Sequence, residues 1–278
     1  MNNLMSLGLA LAMLAIAGCT SSTQHLYAEA ARGGRVASII ETPTFPIQVV
    51  LPRQAEEGHL RVYLEGDGRA WATRSQPSID PTPSVDLISR LAAEDPKPAA
   101  YVARPCQYVM NERCSYRVWT DRRFGPEAID SISYALDQVM LRTGATQLEL
   151  VGYSGGGTIA LLLAARRSDV ISVQTLAGNL TPRAWVQLHH LSALSGALDP
   201  SAFAEQLRSI PQRHLVGQFD QVVTPGLASS YREAVKPACM EMAVVDASHS
   251  DGWETAWSAF RATPIACAKN SVRTQDRP

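Results

Sequence analysis

Gly152-Tyr153-Ser154-Gly155-Gly156 follows the apolar run Gln147-Leu148-Glu149-Leu150-Val151 and precedes a second one from Thr158 to Arg166. The first reads as a strand and the second as a helix, so the pentapeptide marks a sharp strand-to-helix turn. A serine on such a turn stands above the carboxyl edge of a parallel sheet, its hydroxyl exposed and a helix N-terminus behind it. The small residues around Ser154 tolerate the tight backbone that this geometry demands. Ser154 is therefore the candidate nucleophile, and the flanking strand and helix carry that assignment more than the pentapeptide itself.

Two partners follow downstream. A strand-like His214-Leu215-Val216-Gly217 leads into Gln218-Phe219-Asp220, which places an acid just past a strand end. A second strand, Met240 to Val245, leads into Asp246-Ala247-Ser248-His249-Ser250-Asp251, with a histidine in the loop before a last helix. His249 is the candidate base and Asp220 the candidate orienting acid. Asp251 competes for the acid role, although its position suits a helix N-cap. His189 and His190 compete for the base but do not sit in a strand-end loop of this order. Serine, aspartate and histidine in that chain order, each at a strand's carboxyl end, resemble the α/β-hydrolase superfamily.

The resemblance runs from Leu60 to about Thr263. It implies a mostly parallel eight-stranded sheet flanked by helices, serine-hydrolase chemistry on acyl esters or related substrates, and no metal or organic cofactor. It also places the loop after the strand Leu60 to Leu64 at the oxyanion hole, with backbone donors at Asp67 and Gly155. Lipase-like members often carry a His-Gly pair there, whereas this chain has Glu65-Gly66. A carboxylate aimed at a developing oxyanion opposes catalysis, so Glu65 and Asp67 are expected to turn away, toward Arg69 or Arg104.

Residues 1–18 read as a lipoprotein signal peptide. The apolar stretch is too short to span a membrane as a mature helix, and Ile16-Ala17-Gly18-Cys19 resembles a bacterial lipobox. Cys19 is then the lipidated first residue, and Thr20 after it resembles outer-membrane sorting. A plain cleaved signal peptide is the alternative. Residues 19–34 are expected as a polar tether, 35–268 as the hydrolase domain and 269–278 as a disordered polar tail. Four cysteines remain beside Cys19, an even number suited to an oxidising compartment. Of the three possible pairings, Cys106–Cys114, which flank a short loop, and Cys239–Cys267, at the ends of the last strand and helix, are favoured. A zinc site is the rival, although the spacings lack close cysteine pairs.

The chain has 278 residues, 46% of them hydrophobic, enough for one large core. Its net charge of -1 gives no reason to expect nucleic-acid partners, and the Arg122-Arg123 and Arg166-Arg167 pairs are too short for a basic patch. Alternating strands and helices favour a right-handed parallel arrangement. Ser84 is expected to cap a helix running through Ala93, and a helix starting at Pro126 should end at Gly144. The stretch Asn179 to Pro211 lies where the superfamily inserts its cap and suffices for one or two helices. Trp71, Trp119 and Trp185 are candidate pocket residues. The function expected is a lipid-anchored carboxylesterase acting on short- to medium-chain acyl esters at the bacterial envelope, with a small acyl compound and the membrane as partners and the oligomeric state open. The alternatives are a non-catalytic envelope-binding lipoprotein on the same scaffold, an acyltransferase or a peptidase.

Overall fold

The computed structural model describes residues 21–53 and 58–267, together with the backbone of 272–274. The signal peptide expected over residues 1–18 and the lipidation expected at Cys19 fall outside the described residues. The structure is an α/β sandwich whose sheet runs, in spatial order, β1 (Val36–Ile40), β2 (Ile47–Leu51), β4 (Ala99–Val102), β3 (Gly58–Leu64), β5 (Ala145–Tyr153), β6 (Val170–Leu176), β7 (Gln212–Gly217) and β8 (Met240–Val245). β1 and β2 pair antiparallel with each other, and β2 pairs antiparallel with β4. Every pair from β4 to β8 is parallel. This is the eight-stranded, mostly parallel sheet expected, extended by a short β9 (Val272–Thr274) parallel to β8. The tail expected to be disordered thus contributes a strand.

Both faces of the sheet are covered. On one side α4 (Pro126–Thr143) and α5 (Gly155–Ala164) pack Ile129, Ile132, Leu136, Ile159 and Leu163 against Leu148 and Leu150 of β5. On the other, α2 (Leu87–Ala93) and α9 (Trp253–Phe260) set Leu91, Trp253 and Trp257 against Tyr63, Tyr101 and Val151. The central strands are largely buried on both faces, as parallel strands are, and they take polar side chains in with them, among them Arg61 of β3 and Gln212, Arg213 and His214 of β7. Pro126 opens α4 and Gly144, in the left-handed conformation at φ 73°, closes it, as expected from the preferences of the two residues.

Two expectations are corrected at the edges of the fold. Residues 19–34 were expected as a tether, yet Ser22–Arg32 form α1, opened by a reciprocal capping box between Ser21 and Gln24. Leu26 and Ala30 bury one face of it against the second core, a contact that composition alone conceals because most of its residues are polar. Ser84 does not cap α2. That helix starts at Leu87, after Asp86, whose side chain makes no capping bond.

Both favoured disulfides are present, Cys106–Cys114 across 8 residues and Cys239–Cys267 across 28. The second ties the segment after α9 to the start of β8. Each bridge restricts the unfolded chain, an effect worth about 2–4 kcal/mol. Urea unfolding of Cys239→Ser/Cys267→Ser should therefore show an unfolding free energy lowered by that amount with the fold retained, and wild-type protein in reductant should fall further, because Cys106–Cys114 opens as well.

Candidate active site

The turn at Ser154 forms because backbone segments converge on it more closely than any side chain would permit. A Cβ on Gly152 would lie 2.3 Å from Gly156 O, and one on Gly155 would lie 2.2 Å from Asp67 Oδ1. Ser154 itself adopts φ 49° and ψ -119°, a conformation that costs a non-glycine residue on the order of 1–3 kcal/mol. Its backbone is held on both sides. Ser154 N donates to Leu176 O at 3.0 Å, and Ser154 O accepts from Gly157 N at 3.0 Å and Asn179 N at 2.9 Å.

The three residues proposed from sequence converge. Ser154 Oγ lies 3.1 Å from His249 Nε2, and His249 Nδ1 lies 2.9 Å from Asp220 Oδ2. A carboxylate only accepts, so Nδ1 carries the proton and Nε2 is free to accept from the serine hydroxyl. The other oxygen of Asp220 accepts from Val222 N and Val223 N, both at 2.8 Å, and the residue is 3% exposed. The acid is thus oriented before it meets the imidazole. Chemically, the arrangement can move a proton from hydroxyl to imidazole while a buried carboxylate stabilises the imidazolium.

The competitors are placed elsewhere. Asp251 accepts from Ser248 Oγ and Ser250 Oγ; it neither contacts the imidazole nor caps α9, whose N-cap is Gly252. His189 contacts Val222 O through Nε2 at 2.8 Å, and neither it nor His190 is hydrogen-bonded to Ser154. Among the described residues no cluster of three metal-ligating side chains occurs.

Two positioning residues were missed by sequence reasoning. Tyr153 OH and Trp253 Nε1 both donate to the carbonyl of His249, at 2.7 and 2.9 Å. They pin the loop that carries the imidazole, and the Tyr153 ring lies 5.6 Å from the imidazole ring. Tyr153 precedes the candidate nucleophile, and its place in that turn is the one signal the sequence offers for it.

The loop after β3 passes beside Ser154: a Cβ on Gly66 would come 3.4 Å from Ser154 Cβ. The Asp67 side chain was expected to turn away but stays beside the site: its Oδ1 packs against Gly155, and its charge is met by Arg104 and, at 2.8 Å, by Arg123. Arg104 is one of the two arginines expected, Arg69 is not used, and Arg123, which reads in sequence only as half of a pair too short for a basic patch, is 5% exposed. Burial pushes the Asp67 carboxyl up, but the two guanidiniums outweigh it and hold it below its usual range. Asp67 N donates to no acceptor among the described residues. Glu65 instead turns into the core, where Oε1 accepts from Gly66 N and Oε2 from Tyr101 OH, both at 2.9 Å. Its carboxyl is pushed up to about 7 by burial, against the opposing pull of those two donors.

Around Ser154 lies a pocket of about 650 Å³ whose walls include Trp71, Arg123, Tyr153, Asn179, Trp185 and His249. Trp71 and Trp185 thus line the pocket. Trp119 does not: it is 7% exposed and donates from Nε1 to Ser78 O. The cap stretch folds into α6 (Pro182–Leu188), a short 3₁₀ turn over Pro200–Phe203 and α7 (Ala204–Arg208).

This sheet and this strand-end constellation define the α/β-hydrolase fold. Comparison with solved structures gives the same fold. An esterase from Pyrococcus furiosus aligns with a TM-score of 0.59 at 11% identity, over 81% of this chain and 87% of the other. A putative dienelactone hydrolase from Klebsiella pneumoniae aligns at 0.54 with 17% identity, over 82% and 99%. A cold-adapted esterase from an Arctic intertidal metagenomic library aligns at 0.55 with 16% identity, over 82% and 89%. No family model matches the chain, and no curated protein does either.

Glu65 generates a prediction. Between pH about 4.5 and 7 the folded protein retains the Glu65 proton that the unfolded chain has lost. Stability attributable to this group is therefore complete below pH 4.5 and is lost as pH rises through 7. Urea titrations of wild type and Glu65→Gln across pH 4–8 should show the wild-type stability declining relative to the variant over that window and running parallel to it above.

Proposed function

We propose that the chain is a serine carboxylesterase of the bacterial envelope, anchored through acyl chains on Cys19. The observation that carries the catalytic half is the unbroken contact chain from Ser154 Oγ through His249 to a buried, pre-oriented Asp220. His249 Nε2 takes the hydroxyl proton as Ser154 Oγ attacks the ester carbonyl, and the resulting oxyanion is held by the amides of Asp67 and Gly155. The tetrahedral intermediate collapses as His249 returns the proton to the departing alcohol. Water, deprotonated by the same imidazole, then attacks the acyl-enzyme, and the acid leaves with Ser154 regenerated. The fold shared with esterases at low identity supports hydrolase chemistry in general; the triad contacts support the serine mechanism in particular.

Fluorophosphonate labelling and hydrolysis of phenyl acetate test this. Ser154→Ala should abolish both and His249→Ala nearly so. Asp220→Asn should lower kcat by about 10⁴-fold while retaining measurable turnover. A correctly folded wild-type protein that neither labels nor hydrolyses any of a range of esters would make it a binding scaffold instead.

The anchor is motivated by the apolar run ending at Gly18-Cys19 and supported by two disulfides, which persist in oxidising compartments such as the periplasm. Outer-membrane attachment facing the periplasm fits Thr20. Mass spectrometry of the mature N-terminus should find acyl chains on Cys19, and Cys19→Ser should release the protein from membranes. The short cap and the modest catalytic pocket favour short- to medium-chain acyl groups, since each methylene adds about 0.8 kcal/mol only while it is buried. Gains in kcat/KM along an acyl series should accordingly level off early, with no jump when the substrate forms an interface.

A further inference from the structure

A second and larger cavity, of about 1180 Å³, adjoins the catalytic pocket and is unused by the steps above. Trp71, Arg123 and Trp185 line both spaces, so they form the threshold between them. Past the threshold the walls carry Tyr116, Arg74 and the ion-paired Arg117 and Asp121.

Two properties of this cavity point to a ligand. First, it gathers large aromatic side chains that are not covered: Trp71 is 45% exposed and Tyr116 56%. Single exposed aromatics are ordinary, but two on one concave surface, beside a partly buried Trp185, make a stacking surface. Arg123 already lies over the Trp185 ring, 5.2 Å from its centroid, so the open indole is that of Trp71. Second, positive charge exceeds its local partners. Arg117 is matched by Asp121, but Arg104 and Arg123 share the single carboxylate of Asp67. Glu65, the other carboxyl near Arg104, is committed to Gly66 N and Tyr101 OH. Arg74 has no ion pair among the described residues. Arg123, 5% exposed, keeps a buried Nε without a hydrogen-bond partner among the described residues, a donor whose desolvation they leave without an offset.

We propose that this cavity is a substrate subsite for an aromatic ring bearing a negative charge, so that the natural substrate is an ester with an anionic aryl group on one side of the scissile bond. The ring stacks on Trp71, and the anion is met by the guanidiniums of Arg74 and Arg123, whose planar donors suit a carboxylate. The claim that the occupant is part of a substrate rests on the esterase assignment; the binding itself does not.

Matched acetate esters separate the two. 4-Acetoxybenzoate carries the charge and methyl 4-acetoxybenzoate lacks it. Wild type should favour the anion by about tenfold in kcat/KM, as expected for one charge-assisted contact, mainly through KM and less so at high salt. Arg74→Ala should remove most of that ratio, and Arg74→Lys should restore part of it. A ratio at or below one that Arg74→Ala leaves unmoved would overturn the subsite. Should no acetate ester be hydrolysed at all, the esterase assignment fails and the subsite is judged by binding to Ser154→Ala protein. There 2-naphthoate, but not neutral 2-naphthylmethanol, should quench tryptophan fluorescence saturably, and Trp71→Ala should weaken the quench. Equal quenching by both compounds, or none, overturns it.

Discussion

The backbone of Ser154 is the constraint on which the rest of the site depends. A residue at φ 49° and ψ -119° is unfavourable in isolation, so the conformation persists only because neighbouring structure leaves no other. β6 supplies an acceptor for Ser154 N, the turn after β6 a donor to Ser154 O, and the glycines on either side let β5, α5 and the β3 loop approach within distances that a Cβ would forbid. Sheet register, helix start and hydroxyl placement are therefore one coupled solution. The strain is met by the packed core beneath, where α5 is buried throughout and Leu148 and Leu150 of β5 are fully covered.

A second constraint is electrostatic. Two carboxyl groups belong to the loop that runs beside Ser154, the candidate nucleophile, where uncompensated negative charge would oppose an oxyanion. The protein handles them differently. Asp67 stays ionised because Arg104 and Arg123 surround it, and burial favours the neutral acid of Glu65 despite its two hydrogen-bond donors. Removing either guanidinium would leave a partly buried carboxylate with one partner, a more damaging change than loss of a surface pair. Arg123, one of the two arginines that neutralise Asp67, also forms the wall shared with the larger cavity, so charge compensation and the proposed subsite draw on the same side chain.

The elements most legible from the chain were those with strong local signals. β6 and β8 begin and end where their apolar runs do, and α4 lies between a proline and a glycine whose backbone preferences mark its ends. Local signals failed where a distant surface decided the outcome. α1 is largely polar and becomes a helix with a buried face only because the second core receives Leu26 and Ala30. Arg122-Arg123 reads as an arginine pair too short for a basic patch, yet Arg122 is exposed and Arg123 is buried; no local pattern distinguishes adjacent residues that point to opposite sides. Tyr153 and Trp253 act on a carbonyl far from Tyr153 in sequence, and nothing in their own surroundings announces it.

What the sequence by itself determined is the order of chemistry along the chain: a serine on a strand-to-helix turn, then an acid, then a histidine, each following a strand. Those placements rest on local physics, because strand runs, glycine turns and helix starts are properties of neighbouring residues. The tertiary structure decided everything that needs two distant segments at once. It chose Asp220 over Asp251 by putting one carboxylate against the imidazole and the other among serine hydroxyls. It paired Asp67 with Arg123, and it opened a cavity between segments more than a hundred residues apart. Hydrogen-bond geometry and shared burial are relations in space, and a linear pattern specifies them only once the chain has closed on itself.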